Sequence, residues 1–152
     1  MKITRKNYQS VKAFFTTVDY GLRQTTGTYY STRQNAFCYL GNACYSIRCN
    51  TNIDKTNDCL IEEKLKFFYD NNHINNFMEI YFIEKYNVIS YNKIMLDDII
   101  IYFNDDRGYS FKKIKSILLD FFVDLEKYIN ENDLWEEDNE QSTENIFKVS
   151  KS

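Results

Sequence analysis

The most regular alternation of apolar and polar positions lies late in the chain. Phe111, Ile114, Leu118, Phe121, Leu125 and Tyr128 step by alternating three and four residues, and Ile117, Phe122 and Ile129 widen the stripe. That spacing keeps one face of a helix apolar, so it predicts a helix of about six turns with Ser110 as its N-cap. Residues 4–18 read the same way: Thr4 is a good N-cap, and Tyr8, Val11, Phe14, Phe15 and Val18 share a face. Leu60, Ile61, Leu65 and Phe68 predict a helix over 58–69, and Ile94, Leu96, Ile99, Ile100 and Phe103 predict another over 93–103. Residues 76–86 fit two patterns. Phe77, Ile80, Tyr81 and Glu84 suit a helix, Met78, Ile80 and Phe82 suit one face of a strand, and the helix is the better reading.

Between residues 28 and 49 the period changes. Tyr29, Tyr30 and Thr32 favour strands, and the runs 36–40 and 43–49 flank Gly41-Asn42, a glycine-first pair suited to a type II′ hairpin turn. In that register Leu40 opposes Ala43, Tyr39 opposes Cys44 and Cys38 opposes Tyr45. One face then carries Ala36, Cys38, Leu40, Ala43, Tyr45 and Ile47 towards the core, and the other presents Phe37, Tyr39, Cys44, Ser46 and Arg48. Polar connectors fall at 21–27, with Arg23 near the middle, and at 50–57, with further breaks at 70–73, at Ser90 and at 104–108. The expected fold is therefore α+β: an N-terminal helix, a small antiparallel sheet with a hairpin at Gly41-Asn42, and a mostly helical C-terminal half. With 152 residues the chain suits one core, placed at 1–130, followed by an acidic, flexible tail at 131–152 around the lone Trp135.

Charge adds a polarity that the formal net charge of −3 conceals. Residues 1–50 carry seven Lys or Arg against Asp19 alone, whereas residues 116–152 carry ten acids against three lysines. Such an arrangement offers a basic face to one partner and an acidic face to another. The last helix runs against its dipole, with Lys112, Lys113 and Lys115 early and Asp120, Asp124 and Glu126 late, which helix stability does not explain. Absence of proline with abundant Asn, Ile, Lys and Tyr points to an AT-rich genome.

Catalytic chemistry finds little support in the residues. The four glycines are not grouped as a phosphate-cradling loop needs, and the one histidine, His73, lies in an Asn-rich break without a partner at motif spacing. Asp97-Asp98 and Asp105-Asp106 read as solvated helix-end acids rather than metal ligands. Cys38, Cys44, Cys49 and Cys59 match no zinc spacing and read as free thiols in a reducing compartment. No apolar run approaches a membrane span or a signal-peptide core, so a cytoplasmic protein without cofactor or metal is expected. Two surfaces remain as candidates. Arg23, Arg33, Phe37, Tyr39 and Arg48, interleaved with Tyr29 and Tyr30, form a basic aromatic mixture suited to a protein partner or to single-stranded nucleic acid, and Asp120, Asp124 and Glu126 form an acidic helix suited to a basic groove.

The opening fifty residues, including Tyr29-Tyr30-Ser31-Thr32-Arg33 and Cys38-Tyr39-Leu40-Gly41-Asn42-Ala43, resemble the N-terminal region of small anti-CRISPR proteins from staphylococcal mobile elements, which inhibit type II-A Cas9. The resemblance covers about a third of the chain. It implies a non-enzymatic phage or mobile-element protein in the host bacterial cytoplasm that binds Cas9 or the Cas9–guide RNA complex, with a possible RNA contact, and prevents DNA cleavage. The alternative is a nucleic-acid-binding or transcription-regulating module that uses the basic N-terminal third. No sequence feature sets an oligomeric state.

Overall fold

A computed structural model describes residues 1–89 and 94–137; Ser90, Lys93 and the acidic residues beyond Glu137 lie outside them. The described chain forms α1 (Arg5–Thr16), β1 (Tyr30–Ser31), β2 (Ala36–Phe37), α2 (Tyr39–Thr51), α3 (Asn57–Tyr69), α4 (Asn72–Tyr86), α5 (Leu96–Ile101), a π-helical turn (Tyr102–Asp106) and α6 (Phe111–Glu131). The architecture is mostly helical, with one two-stranded antiparallel sheet.

Helix α6 forms where its apolar stripe places it. The Ser110 hydroxyl accepts from the Lys113 backbone N–H, capping its first turn. Phe111, Ile114, Ile117, Leu118, Phe121, Phe122, Leu125 and Ile129 are buried along one side. Helix α1 crosses α6, and the buried Tyr8 hydroxyl donates to the Phe122 carbonyl at 2.6 Å. An aromatic cluster fills the contact between α3, α4 and α6, with Phe121 in ring contact with Phe68, Phe77, Tyr81, Phe82 and Phe122. Residues 76–86 are helical, within α4. Two of the lysines that oppose the α6 dipole lie against aromatic rings: Lys113 is 3.9 Å from the Tyr109 ring centroid and Lys115 is 5.4 Å from that of Tyr20.

The hairpin expected at Gly41-Asn42 is not there. Both residues are buried inside α2, and the only sheet among the described residues pairs Tyr30 with Phe37 and Ser31 with Ala36 across a turn at 32–35. Tyr39, Leu40, Ala43, Cys44 and Ile47 also fall at helical spacing, and burial of Tyr39, Leu40, Ala43 and Cys44 selects that period over the alternating one. Cys38 then acts as N-cap, its Sγ accepting from the Gly41 N–H. Gly41 is required by a close approach, because a Cβ there would overlap the backbone carbonyl of Tyr29, which itself accepts from Cys38 N–H at 3.2 Å.

Two buried asparagines hold the 17–28 connector against this core. Asn42 Oδ1 accepts from the Asp19 N–H at 2.9 Å while its Nδ2 donates to the Asp19 carbonyl at 2.8 Å. Asn104 accepts from Gln24 Nε2 and from Tyr39 N–H, and it donates to the Thr25 carbonyl. Each buried amide thereby satisfies backbone groups that an irregular segment leaves open. At the other end of the described residues, the start of the expected tail packs on the N-terminal segment. Ile3 N–H donates to Glu136 Oε2 at 2.7 Å, Glu136 N–H donates to the Ile3 carbonyl at 2.8 Å, and Trp135 sits edge-on to Tyr8 beneath the Arg5 guanidinium.

Candidate functional site

The connector, the small sheet and α2 together shape a cleft of about 520 Å³. Its lining includes Tyr30, Asn35, Phe37, Tyr45, Arg48 and Asn57, and none of the described residues lining it is acidic. Phe37 is the middle ring of three. It lies 4.7 Å from Tyr30 and 5.1 Å from Tyr45 between centroids, with interplanar angles of 43° and 46°. Backbone bonds fix that middle ring: Phe37 N–H donates to the Arg23 carbonyl and its own carbonyl accepts from Thr25 N–H, both at 2.8 Å. Tyr30 and Tyr45 keep about two fifths of their surface exposed, at 40% and 43%. Tyr30 Oη donates to Asn35 Oδ1 at 2.9 Å, which ties the outer ring to the turn.

Of the basic aromatic residues singled out in the sequence, the fold brings Phe37 and Arg48 into this cleft, while Arg23 is tied to Phe37 through its backbone carbonyl alone. Arg33 is exposed on the turn that carries Asn35. Tyr39 is elsewhere. It is fully buried and donates to the Phe15 carbonyl at 2.6 Å, so it cannot meet a partner; the two-sided hairpin that had exposed it is replaced by α2. The pattern missed Tyr45, because the hairpin register pointed it into the core.

The acidic residues of α6 do not form one surface. Asp120 and Asp124 are one turn apart, and Asp124 pairs with Lys85 of α4 at 3.2 Å. Glu126 points about 200° away around the helix from Asp124. It stands beside the Tyr8 phenol, whose pKa is raised first by burial and then by this carboxylate. A tighter gathering of acids occurs at α3 and α5, where Asp58 accepts from Tyr29 Oη at 3.0 Å and Glu62 and Asp98 face Asp97. Burial, then Asp98, raise the Asp97 pKa, and its buried Oδ1 has no hydrogen-bond partner. The reading of Asp97 as a solvated cap is corrected accordingly. Asp105 serves the fold, accepting from Gly27 N–H and Asn104 Nδ2.

All four cysteines are free, with Cys38 and Cys44 buried. Burial pushes the Cys44 thiol up to about 12, away from the thiolate a nucleophile needs. His73 is exposed in the first turn of α4. Among the described residues no group of three metal-ligating side chains is close enough to hold an ion, and no helix is long and apolar enough to cross a membrane.

Set against protein-family models, curated proteins and solved structures, the chain matches none of them.

Proposed function

We propose that the protein is a non-enzymatic, stoichiometric inhibitor of a nucleic-acid-processing enzyme in the bacterial cytoplasm, with the Cas9–guide RNA complex as its target, and that the cleft around Phe37 is its recognition face. The observation that carries this reading is where the cleft residues come from. Tyr30, Asn35, Phe37, Tyr45 and Arg48 all lie within the first fifty residues, the block that resembles Cas9 inhibitors. Residues remote from catalytic geometry are thus gathered into a surface of rings and a guanidinium, the composition favoured at recognition hot spots. The scattered α6 acids give the opposite surface a smaller part.

The test is a DNA-cleavage assay in which purified protein is titrated against a type II-A Cas9–guide RNA complex. Inhibition should saturate near one equivalent and weaken as salt rises, because contact charges are screened over about 8 Å at physiological ionic strength. Reversing Arg23, Arg33 and Arg48 together should cost inhibition about ten-fold or more, while neutralising Asp120, Asp124 and Glu126 should change it little. The second reading, a nucleic-acid-binding or regulatory module, draws on the same aromatic cleft. It replaces the first if no Cas9 is inhibited and the free protein shifts DNA or RNA on a gel.

A further inference from the structure

We infer that the cleft takes a single strand of nucleic acid, with bases stacked on the exposed faces of Tyr30 and Tyr45 about the Phe37 ring and a phosphate held by Arg48. This rests on the reading of that face as the recognition surface and names what it recognises.

Three features favour a strand over a folded protein surface. The rings are already arranged as a platform: their centroid separations of 4.7 and 5.1 Å fix them against one another, so little side-chain freedom remains to be lost on binding. Bases of any identity stack on such rings, and only a single strand can splay them out, since a duplex hides both base faces. The polar groups are of the matching kind. Arg48 commits one guanidinium nitrogen to the Lys55 carbonyl and has further donors for phosphate oxygens. Asn57 lines the same cleft and adds a polar residue beside the rings. A duplex phosphate backbone, by contrast, would have no use for the three rings.

The experiment uses the full chain and fluorescein-labelled oligouridylate, oligothymidylate and the oligouridylate annealed to oligoadenylate, followed by fluorescence anisotropy across a salt series. Both single strands, or the ribose strand alone, should bind more tightly than the duplex; the comparison of the two strands tells RNA from DNA recognition. Tyr30→Ala and Tyr45→Ala should each weaken binding roughly 5- to 100-fold, the range of a lost base stack. Tyr30→Phe and Tyr45→Phe should bind as wild type does, since the stacking face remains, and circular dichroism and a Tm unchanged in the alanine variants separate a lost stack from a lost fold. Arg48→Gln should lower the slope of log K against log salt by about 0.7, the value for one single-strand phosphate. Equal affinity for the duplex, or single-strand binding indifferent to both ring deletions, overturns the inference. If the protein inhibits Cas9 cleavage yet binds neither single strand, the inference fails and the inhibitor reading stands. If it binds strands through the rings and inhibits no Cas9, the inhibitor reading fails and the inference stands.

Discussion

The cleft and helix α6 gather side chains in opposite ways. The cleft draws residues from a connector, two strands, α2 and the start of α3, spread between Leu22 and Asn57, and sets three rings in mutual contact. Helix α6 carries Asp120, Asp124 and Glu126 within two turns of one element, yet the helical rotation sends Glu126 to the far flank and Lys85 engages Asp124. Closeness along the chain gave no common surface, and separation along the chain did not prevent one. The reason is geometric. A helix turns about 100° per residue, so charges share a face only at spacings of three or four, whereas tertiary packing is free to combine any positions that the core brings together.

The two regions also fail differently when damaged. Phe121→Ala in α6 removes the ring that five other aromatic side chains touch, and should cost about 3–5 kcal/mol in urea unfolding, while ligand binding at the cleft persists in the fraction that remains folded. Gly41→Ala in α2 should cost less, about 2–3 kcal/mol, but damage recognition as well, because the new methyl displaces the Tyr29 carbonyl and with it the strand that carries Tyr30. A Gly41→Ala protein that melts with wild type would remove the close approach on which the placement of β1 depends. The smallest effect belongs to neither region and serves as their control. Burial, then Asp98, raise the folded-state pKa of Asp97 above its unfolded value, so the stability tied to this group is lost as pH rises through that interval. Asp97→Asn should therefore raise the Tm at neutral pH, with the gap to wild type closing at acid pH where the carboxyl is protonated in both states. A constant gap across pH would show that the charge is not the cause.

Much of the helical frame was legible in the chain. The stripes of α1, α3 and α6 are single-period patterns whose caps, Thr4 and Ser110 among them, sit where a side-chain acceptor is needed. Residues 36–47 were not legible, because the same apolar residues satisfy a period of two on the hairpin register and a helical one through Tyr39, Leu40, Ala43 and Cys44. The choice between them rests on Asn42 binding Asp19 and on Gly41 meeting Tyr29, contacts between distant positions that no local pattern contains. The cleft inherited that error. Arg48 and Phe37 were marked for the right chemistry, Tyr45 was sent to the core, and Tyr39 was sent to the surface. Trp135 carried a readable hint, since a lone indole in an acidic run is costly to leave in water and here finds Arg5 and Tyr8.

The reciprocal pair between Ile3 and Glu136 sets an order of events. It spans a sequence separation of 133 residues. Closing so long a loop from an open chain costs about 4 kcal/mol by the (3/2)RT ln n relation, whereas two hydrogen bonds return about 1 kcal/mol each. The pair therefore cannot nucleate anything. It closes only after α1 has docked on α6 and already brought Ile3 and Glu136 together, so its formation marks the completion of the fold.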